Sequence, residues 1–471
     1  MKRLSLAVIV ALFVIDGLTA ARAQATKNVL TYHNDIYRTG VYEGESILRP
    51  SNVSPGRFGK VFARRVLGQI WGQPLYVQRV PVNDRLRNVV YVATSENMVY
   101  AFDVDDRTPD EQTAPLLSVY LGAPDAIDKA AFDFNTILPS NGISSTPVID
   151  LGNPPDPRTG TLYVVTKLKQ DHKFHVFALD LPTLTIRRNA QGQLMDVIIC
   201  ETGHCASNST LSFDPSRHMN RPALLISKNH LIVAFGSGPP ENDHNPKYNG
   251  WVMSFSLPDL VQTDAFVTTP TSKTGMGAVW QSGAGPAADD EGNIYFMTGN
   301  GHFELPNLPD SFVRLANRDG KLQLADWYTP RSRDVLEVCD LDLGTSGPVV
   351  IQESGKVLGA GKSGILYVLD KANMGRDQPP FNDVEGQLWR GDPAPDCIPG
   401  PGQCFRVADS QYQFQAGMKE PKQSCNMKDP IPNPPYFRSF PFEPPGFNSS
   451  NWEHVLMSYP HVHGSPVVWR V

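Results

Sequence analysis

Apolar runs rich in Val, Ile, Leu, Tyr and Phe recur along the chain between short polar or Gly-containing segments, and each set of runs opens on a proline. Gly72-Gln73-Pro74-Leu75-Tyr76-Val77 leads to Val89–Thr94 and Met98–Asp103. Ser145-Thr146-Pro147-Val148-Ile149 leads to Thr161–Thr166 and His175–Asp180. Further copies run through Pro222, 230–235 and 251–256; through Pro286, 293–298 and 311–316; and through Pro348, 356–360 and 365–370. The prolines are spaced by 73, 75, 64 and 62 residues. β-Branched and aromatic runs of this length, bounded by turn residues, predict strands, and the long period predicts repeated sheets. One unit has too little core to stand alone. Copies packed radially as four-stranded sheets make a β-propeller, and the chain is expected to be all-β with five such blades over 58–375. Leu116–Leu121 supplies an outermost strand for the first blade, and Phe58–Arg65 is expected to form a strand ahead of it.

The flanks break the pattern. Residues 24–57 read as an N-terminal arm with little core, whereas 376–460 carry 15 of the 41 prolines and three of the six cysteines, the make-up of a disulfide-pinned insertion. At His463-Gly464-Ser465-Pro466 the unit starts again, so 461–471 read as the start of a sixth blade, and the propeller is expected to be incomplete at its C-terminus.

Ahead of all this, Lys2 and Arg3 precede a twelve-residue apolar run, Leu4–Ile15, and Ala21-Arg22-Ala23 offers a small-residue cleavage site. That layout predicts a signal peptide over 1–23 and a periplasmic or secreted chain without a transmembrane segment once it is cleaved. The run is too short to span a membrane. Export suits the even number of cysteines, Cys200, Cys205, Cys339, Cys397, Cys404 and Cys425. Disulfides are expected, with Cys200–Cys205 and Cys397–Cys404 as local loops and Cys339 left for Cys425, although six cysteines permit 15 connectivities. No Cys-x-x-Cys pair is present to bind zinc or haem.

Composition narrows the function classes. A net charge of −6 with only 19% charged residues argues against a nucleic-acid partner, and Gly (38) with Pro (41) amounts to about one residue in six, which excludes helical bundles.

In a propeller the residues just before each inner strand converge on the mouth of the central funnel, where a small-molecule or protein ligand binds. This selects Gln73, Ser145, Arg221, Gln281, Ser282, Ser346 and His463. An acidic planar ligand would be served by Arg221 as a bidentate clamp, Lys362 as a point charge and Trp280 for stacking. His461 and His463 lie on one face of an extended segment and could hold a metal with His218 as third ligand. The run Asp289-Asp290-Glu291 reads as a solvated hairpin.

The combination Gly-Gln-Pro-Leu-Tyr-Val, Val-Val-Tyr-Val-Ala-Thr, Val-Tyr-Ala-Phe-Asp and Gly-Lys-Ser-Gly-Ile-Leu-Tyr-Val-Leu-Asp (361–370) resembles the pyrroloquinoline-quinone (PQQ)-type propeller repeat. Among its members the chain is most similar to exported bacterial PQQ-like repeat proteins of unassigned activity. The resemblance implies a PQQ-type β-propeller of around eight blades in its full form. It also implies that PQQ and Ca²⁺ are possible ligands of the funnel, with Gln73, Arg221, Trp280, Gln281 and Lys362 as cofactor-binding candidates. Trp280 would match a floor residue and Lys362 a basic residue near the quinone carbonyls. The adjacent cysteine pair of the family's dehydrogenases is absent from this sequence. The expectation is therefore a binding module acting through its funnel. The alternative is a PQQ-dependent oxidoreductase of alcohols or sugars in which Asp342 takes the substrate proton.

Overall fold

The structure is a computed structural model that describes residues 28–377 apart from 43, 127–139, 239–247, 273–274, 331–332, 339–340 and 363–365. Five antiparallel sheets follow one another along the chain, each with its first strand innermost. Blade 1 comprises Leu75–Val82, Arg85–Ala93, Met98–Asp103 and Leu117–Tyr120. Blade 2 comprises Val148–Asp150, Thr161–Lys167, Phe174–Asp180 and Asp196–Ile198. Blade 3 uses Leu225–Ser227, His230–Ser237, Trp251–Ser256 and Val261–Val267. Blade 4 uses Ala287–Ala288, Ile294–Met297, Phe312–Arg318 and Lys321–Thr329, and gains Arg376–Asp377 in parallel on its outer edge. Three strands of blade 5 are described, Val349–Ile351, Lys356–Ala360 and Leu366–Asp370. Among the described residues one α-helix occurs, Arg333–Val338.

Strand periodicity explains why these runs are apolar throughout rather than alternating. Successive side chains leave a strand on opposite faces, and in a propeller both faces are covered by neighbouring blades. In Thr161–Lys167 all seven residues are buried. Leu162 and Val164 join the core shared with blade 1, whereas Tyr163 and Val165 join the core shared with blade 3. The same division recurs in blade 3, with Leu231, Val233 and Phe235 facing blade 2 and Ile232 and Ala234 facing blade 4. In blade 4, Ile294 and Phe296 face back while Tyr295 and Met297 face blade 5.

One sequence expectation is corrected. Phe58–Arg65 is not a strand: Phe58 is 58% and Val61 65% exposed. A strand needs a neighbour, and this segment's backbone meets the fold through Arg65 N–H donating to the Glu111 carbonyl at 3.1 Å. The arm, in contrast, is no loose appendage, because residues 29–38 run along the inner edges of all five blades. Val29 exchanges two backbone hydrogen bonds with Tyr76, at 2.8 and 2.9 Å, and the carbonyls of Leu30, Ile36 and Tyr37 accept from the amides of Ile149, Ala288 and Val350. Arg38 donates to the Leu224 carbonyl. All five partners stand two residues after the repeat prolines 74, 147, 222, 286 and 348. Inner-edge N–H and C=O groups buried at the centre of the ring must be satisfied, and the arm supplies partners for them.

The signal-peptide segment 1–23, the insertion 378–460 with Cys397, Cys404 and Cys425, the sixth unit 461–471 with His461 and His463, and Cys339 lie outside the described residues.

Candidate functional site

The loops ahead of blades 3, 4 and 5, together with the loop inside blade 5 that carries Lys362, bring most of the candidate residues into two adjoining clusters. The first is built on Asp342. Its Oδ1 accepts the Asn300 backbone N–H at 2.9 Å, and its Oδ2 lies 2.6 Å from Lys362 Nζ. Lys362 is tied in again by its own backbone N–H, which donates to the Asp342 carbonyl at 3.1 Å. The two side chains keep only 13% and 16% exposure, so the pair sits in a partly desolvated setting where charge–charge attraction is strong. Close approach depends on Gly299, where a Cβ would fall 2.6 Å from Asp342 Oδ1.

Asp310 closes this cluster from below. It is wholly buried; its Oδ1 accepts the Leu343 N–H at 3.0 Å and its N–H donates to the Gly299 carbonyl at 2.8 Å. Burial, and then the neighbouring Asp342 charge, push its carboxyl well above the usual carboxylate range. Its Oδ2 has no hydrogen-bond partner among the described residues. The raised Asp310 carboxyl thus favours its protonated form beside the Asp342–Lys362 pair.

The second cluster is built on Trp280. The Arg221 guanidinium stands 5.2 Å from the indole centroid, in cation–π range. The next residue, Gln281, is fully buried, and neither amide atom of its side chain has a partner among the described residues. Gln281 and Ser282 both adopt positive φ, 49° and 42°. Two consecutive non-glycine residues in the left-handed region are costly and persist only where the surroundings impose them. An enclosed amide with four unused hydrogen-bonding positions is likewise costly unless something satisfies it.

Two of the other candidates have structural employment. Gln73 accepts the His33 backbone N–H at 3.2 Å through Oε1, so it faces the arm. The Ser346 hydroxyl donates to the Ala360 carbonyl. Ser145 Oγ is buried and, among the described residues, unpartnered.

His218 is not available as a metal ligand. Its Nδ1 lies 2.6 Å from the Asp214 carbonyl and its Nε2 accepts the Asn249 N–H at 3.3 Å. The ring is fully enclosed between Phe213 and Trp251. No group of three His, Cys, Asp or Glu residues among those described could hold a metal ion.

Asp289 is also corrected. It is 1% exposed, accepts from Tyr295 Oη and Asn293 Nδ2 at 2.8 Å each, and lies 3.4 Å from Lys371 Nζ, so it knits blade 4 to blade 5 rather than standing in solvent. The Cys200–Cys205 disulfide forms, with a Cα–Cα distance of 5.5 Å, in the loop after the outer strand of blade 2.

Three participants escaped the sequence reading. Asn300 stands in Gly-Asn-Gly, which reads as an ordinary turn. Asp310 lies next to a proline ahead of a strand, and Arg38 in an arm without apolar pattern. Only their long-range hydrogen bonds distinguish them.

No family model and no curated protein matches this chain. Solved structures do. A quinohemoprotein alcohol dehydrogenase from Pseudomonas putida HK5 aligns with a TM-score of 0.50 at 14% identity, over 74% of this chain and 47% of its own. The quinohemoprotein alcohol dehydrogenase of Comamonas testosteroni gives 0.47 at 15% identity over 76% and 49%, and a europium-containing methanol dehydrogenase gives 0.48 at 14% over 74% and 57%. The chain thus spans about half the length of these proteins. No helix among the described residues is long and apolar enough to cross a membrane. Likeness at this identity is a likeness of fold, and with the five successive antiparallel sheets it establishes that the chain folds as a β-propeller.

Proposed function

We propose that the chain is an exported binding module whose funnel mouth takes a planar, acidic small molecule of the PQQ class. The observation that carries this reading is the Gln281 amide, fully enclosed and unpartnered beside Trp280 and Arg221. A flat ligand with ring carbonyl and N–H groups would stack on the indole, offer carboxylates to the guanidinium and, once the residues covering the amide move aside, satisfy it. PQQ has this chemistry, so the residues present fit it. Trp280 would supply the stacking surface, Arg221 and Lys362 the cationic groups, and Gln281 the polar contact. When bound, the quinone supplies a two-electron acceptor.

A second reading, a PQQ-dependent oxidoreductase of alcohols or sugars, is favoured by the Asp342–Lys362 pair with the buried Asp310 carboxyl, its pKa raised, beside it. In it Asp342 would receive a substrate proton at Oδ2. Both Asp342 oxygens already accept hydrogen bonds or an ion pair, so the Lys362 contact must first be given up. Ca²⁺ is a candidate companion of the quinone in either case.

Equilibrium dialysis of the full chain with PQQ, with and without Ca²⁺, tests the proposal. Saturable binding that weakens about ten- to a hundredfold in Arg221→Ala, the loss of one charged contact, is expected. A cooperatively folded protein that takes up no PQQ under either condition overturns it. Turnover of an alcohol or sugar with a dye acceptor, lost in Asp342→Asn, would decide for the oxidoreductase.

A further inference from the structure

We infer that Arg38 is a positioning residue that holds the blade 3 and blade 4 mouth loops together, and with them Arg221 over Trp280; the functional side of this rests on the mouth being the ligand site. Arg38 is wholly buried. Its Nε donates to the Pro286 carbonyl and its Nη2 to the Leu224 carbonyl, each at 2.9 Å. Those two carbonyls end the loops that present Trp280 and Gln281 on one side and Arg221 on the other. The loops also touch directly, through the Ala223 N–H donating to the Ala284 carbonyl at 2.8 Å. Gly285 is pressed so close that a Cβ there would meet the Ala223 carbonyl at 2.7 Å. The guanidinium therefore spans a junction whose two sides carry the cation–π pair.

The rest of the guanidinium is fixed to the arm itself. Nη1 donates to Thr31 Oγ1 at 2.6 Å and to the Tyr32 carbonyl at 2.8 Å. These four acceptors are all neutral oxygens, and no ion pair of Arg38 occurs among the described residues. A buried cation held this way is a costly means of stabilising a fold, since an apolar side chain of similar volume fills such a space at lower desolvation cost. Burial lowers its pKa only to about 10, so the charge and all donors persist at neutral pH. What the guanidinium provides that an apolar chain cannot is a planar fork aimed at two loops at once.

The arm is built to keep that fork in place. Arg38, His33 and Asn34 have φ of 64°, 53° and 72°, left-handed values that non-glycine residues hold only when surrounded by determining contacts. His33 N–H donates to Gln73 Oε1 and its ring lies 3.2 Å from the Arg38 carbonyl, so the same turn reaches the mouth residue of blade 1.

The test uses the full chain labelled with 5-fluorotryptophan, whose seven tryptophans include Trp280, with its ¹⁹F resonance assigned through Trp280→Phe. Arg38→Lys and Arg38→Met should each shift or broaden the Trp280 resonance and speed amide exchange at Ala288, which donates to the arm. They should also weaken PQQ binding about tenfold where the wild type binds it. Leu179→Ala, a fully buried core change in blade 2, is the control for general loosening. An unmoved Trp280 resonance in folded Arg38→Lys overturns the inference, as does an equal movement in Leu179→Ala. Should both Arg38 variants fail to fold, Thr31→Val, which removes one acceptor from the guanidinium, decides by the same resonance. A wild type that ignores PQQ would refute the ligand reading while the fluorine comparison still settles the role of Arg38.

Discussion

Acid should weaken this fold in part through His218. The ring is fully buried, stacked on Phe213 at 4.8 Å and set edge-on to Trp251 at 6.3 Å, and its hydrogen bonds run to backbone groups of residues 214 and 249. Burial lowers its pKa from 6.5 to about 4, against the two backbone contacts, which raise it, and with the Lys167 charge, which lowers it further. The sign follows from proton linkage. A folded-state pKa below the unfolded one means that the unfolded chain binds the extra proton, so stability is full above pH 6.5 and falls as pH drops toward 4. Integrating over those two values, the residue removes about 2–3 kcal/mol between pH 7.5 and 4.5.

The assay is urea unfolding of the full chain and of His218→Gln, followed by tryptophan fluorescence, at pH 7.5, 6.0 and 4.5. Glutamine keeps a donor for the Asp214 carbonyl but does not titrate. The variant loses ring packing and is less stable at pH 7.5, but its deficit should shrink by about 2–3 kcal/mol on going to pH 4.5, because every other titrating group is common to both chains. A deficit constant to within about 0.5 kcal/mol across that range would refute the reasoning.

Asp310→Asn should stabilise the protein at neutral pH, with the gain fading below about pH 4, because a carboxyl whose folded pKa is raised holds its proton in the fold and loses stability as pH rises; the same urea series reads it. Phe235→Ala should cost about 3–5 kcal/mol with an unchanged m-value, since the ring is fully buried and packs edge-on against Phe174 at 5.0 Å and Phe213 at 4.9 Å. Reducing Cys200–Cys205, which closes a loop of sequence separation 5, should cost about 2 kcal/mol in the chain-entropy account, read as a lower urea midpoint in dithiothreitol.

The strands were legible because a propeller blade is covered on both faces. The resulting unbroken apolar runs, such as Leu162–Val165 and Ile294–Met297, stand out from any surface segment, and the repeat prolines mark where each begins. Where the covering neighbour is missing from the described residues, the same kind of run misleads. Phe58–Arg65 has apolar residues at Phe58, Val61 and Phe62, yet no sheet edge receives it, and its apolar side chains at 58 and 61 stay in solvent.

The arm and the site were illegible for a different reason, which is that their chemistry is carried by contacts remote in sequence. Thr31 to Arg38 reads as polar surface, but the fork of Arg38 reaches 248 residues along the chain to Pro286 and 186 to Leu224. Asp342 and Lys362 were each singled out, for different tasks, because nothing in their spacing says that one neutralises the other. Asp289 looked solvated in an acidic run, and only Tyr295 and Lys371, 6 and 82 positions away, make it part of the interior. A polar residue's environment is set by whichever distant groups the fold brings to it, so local pattern reports the scaffold faithfully and the centre poorly. In this chain the centre is polar because the five inner edges meet there, and their backbone groups need a partner. The arm that provides one also grips the loops at the mouth, so the element with the least readable sequence has the greatest leverage over the candidate site.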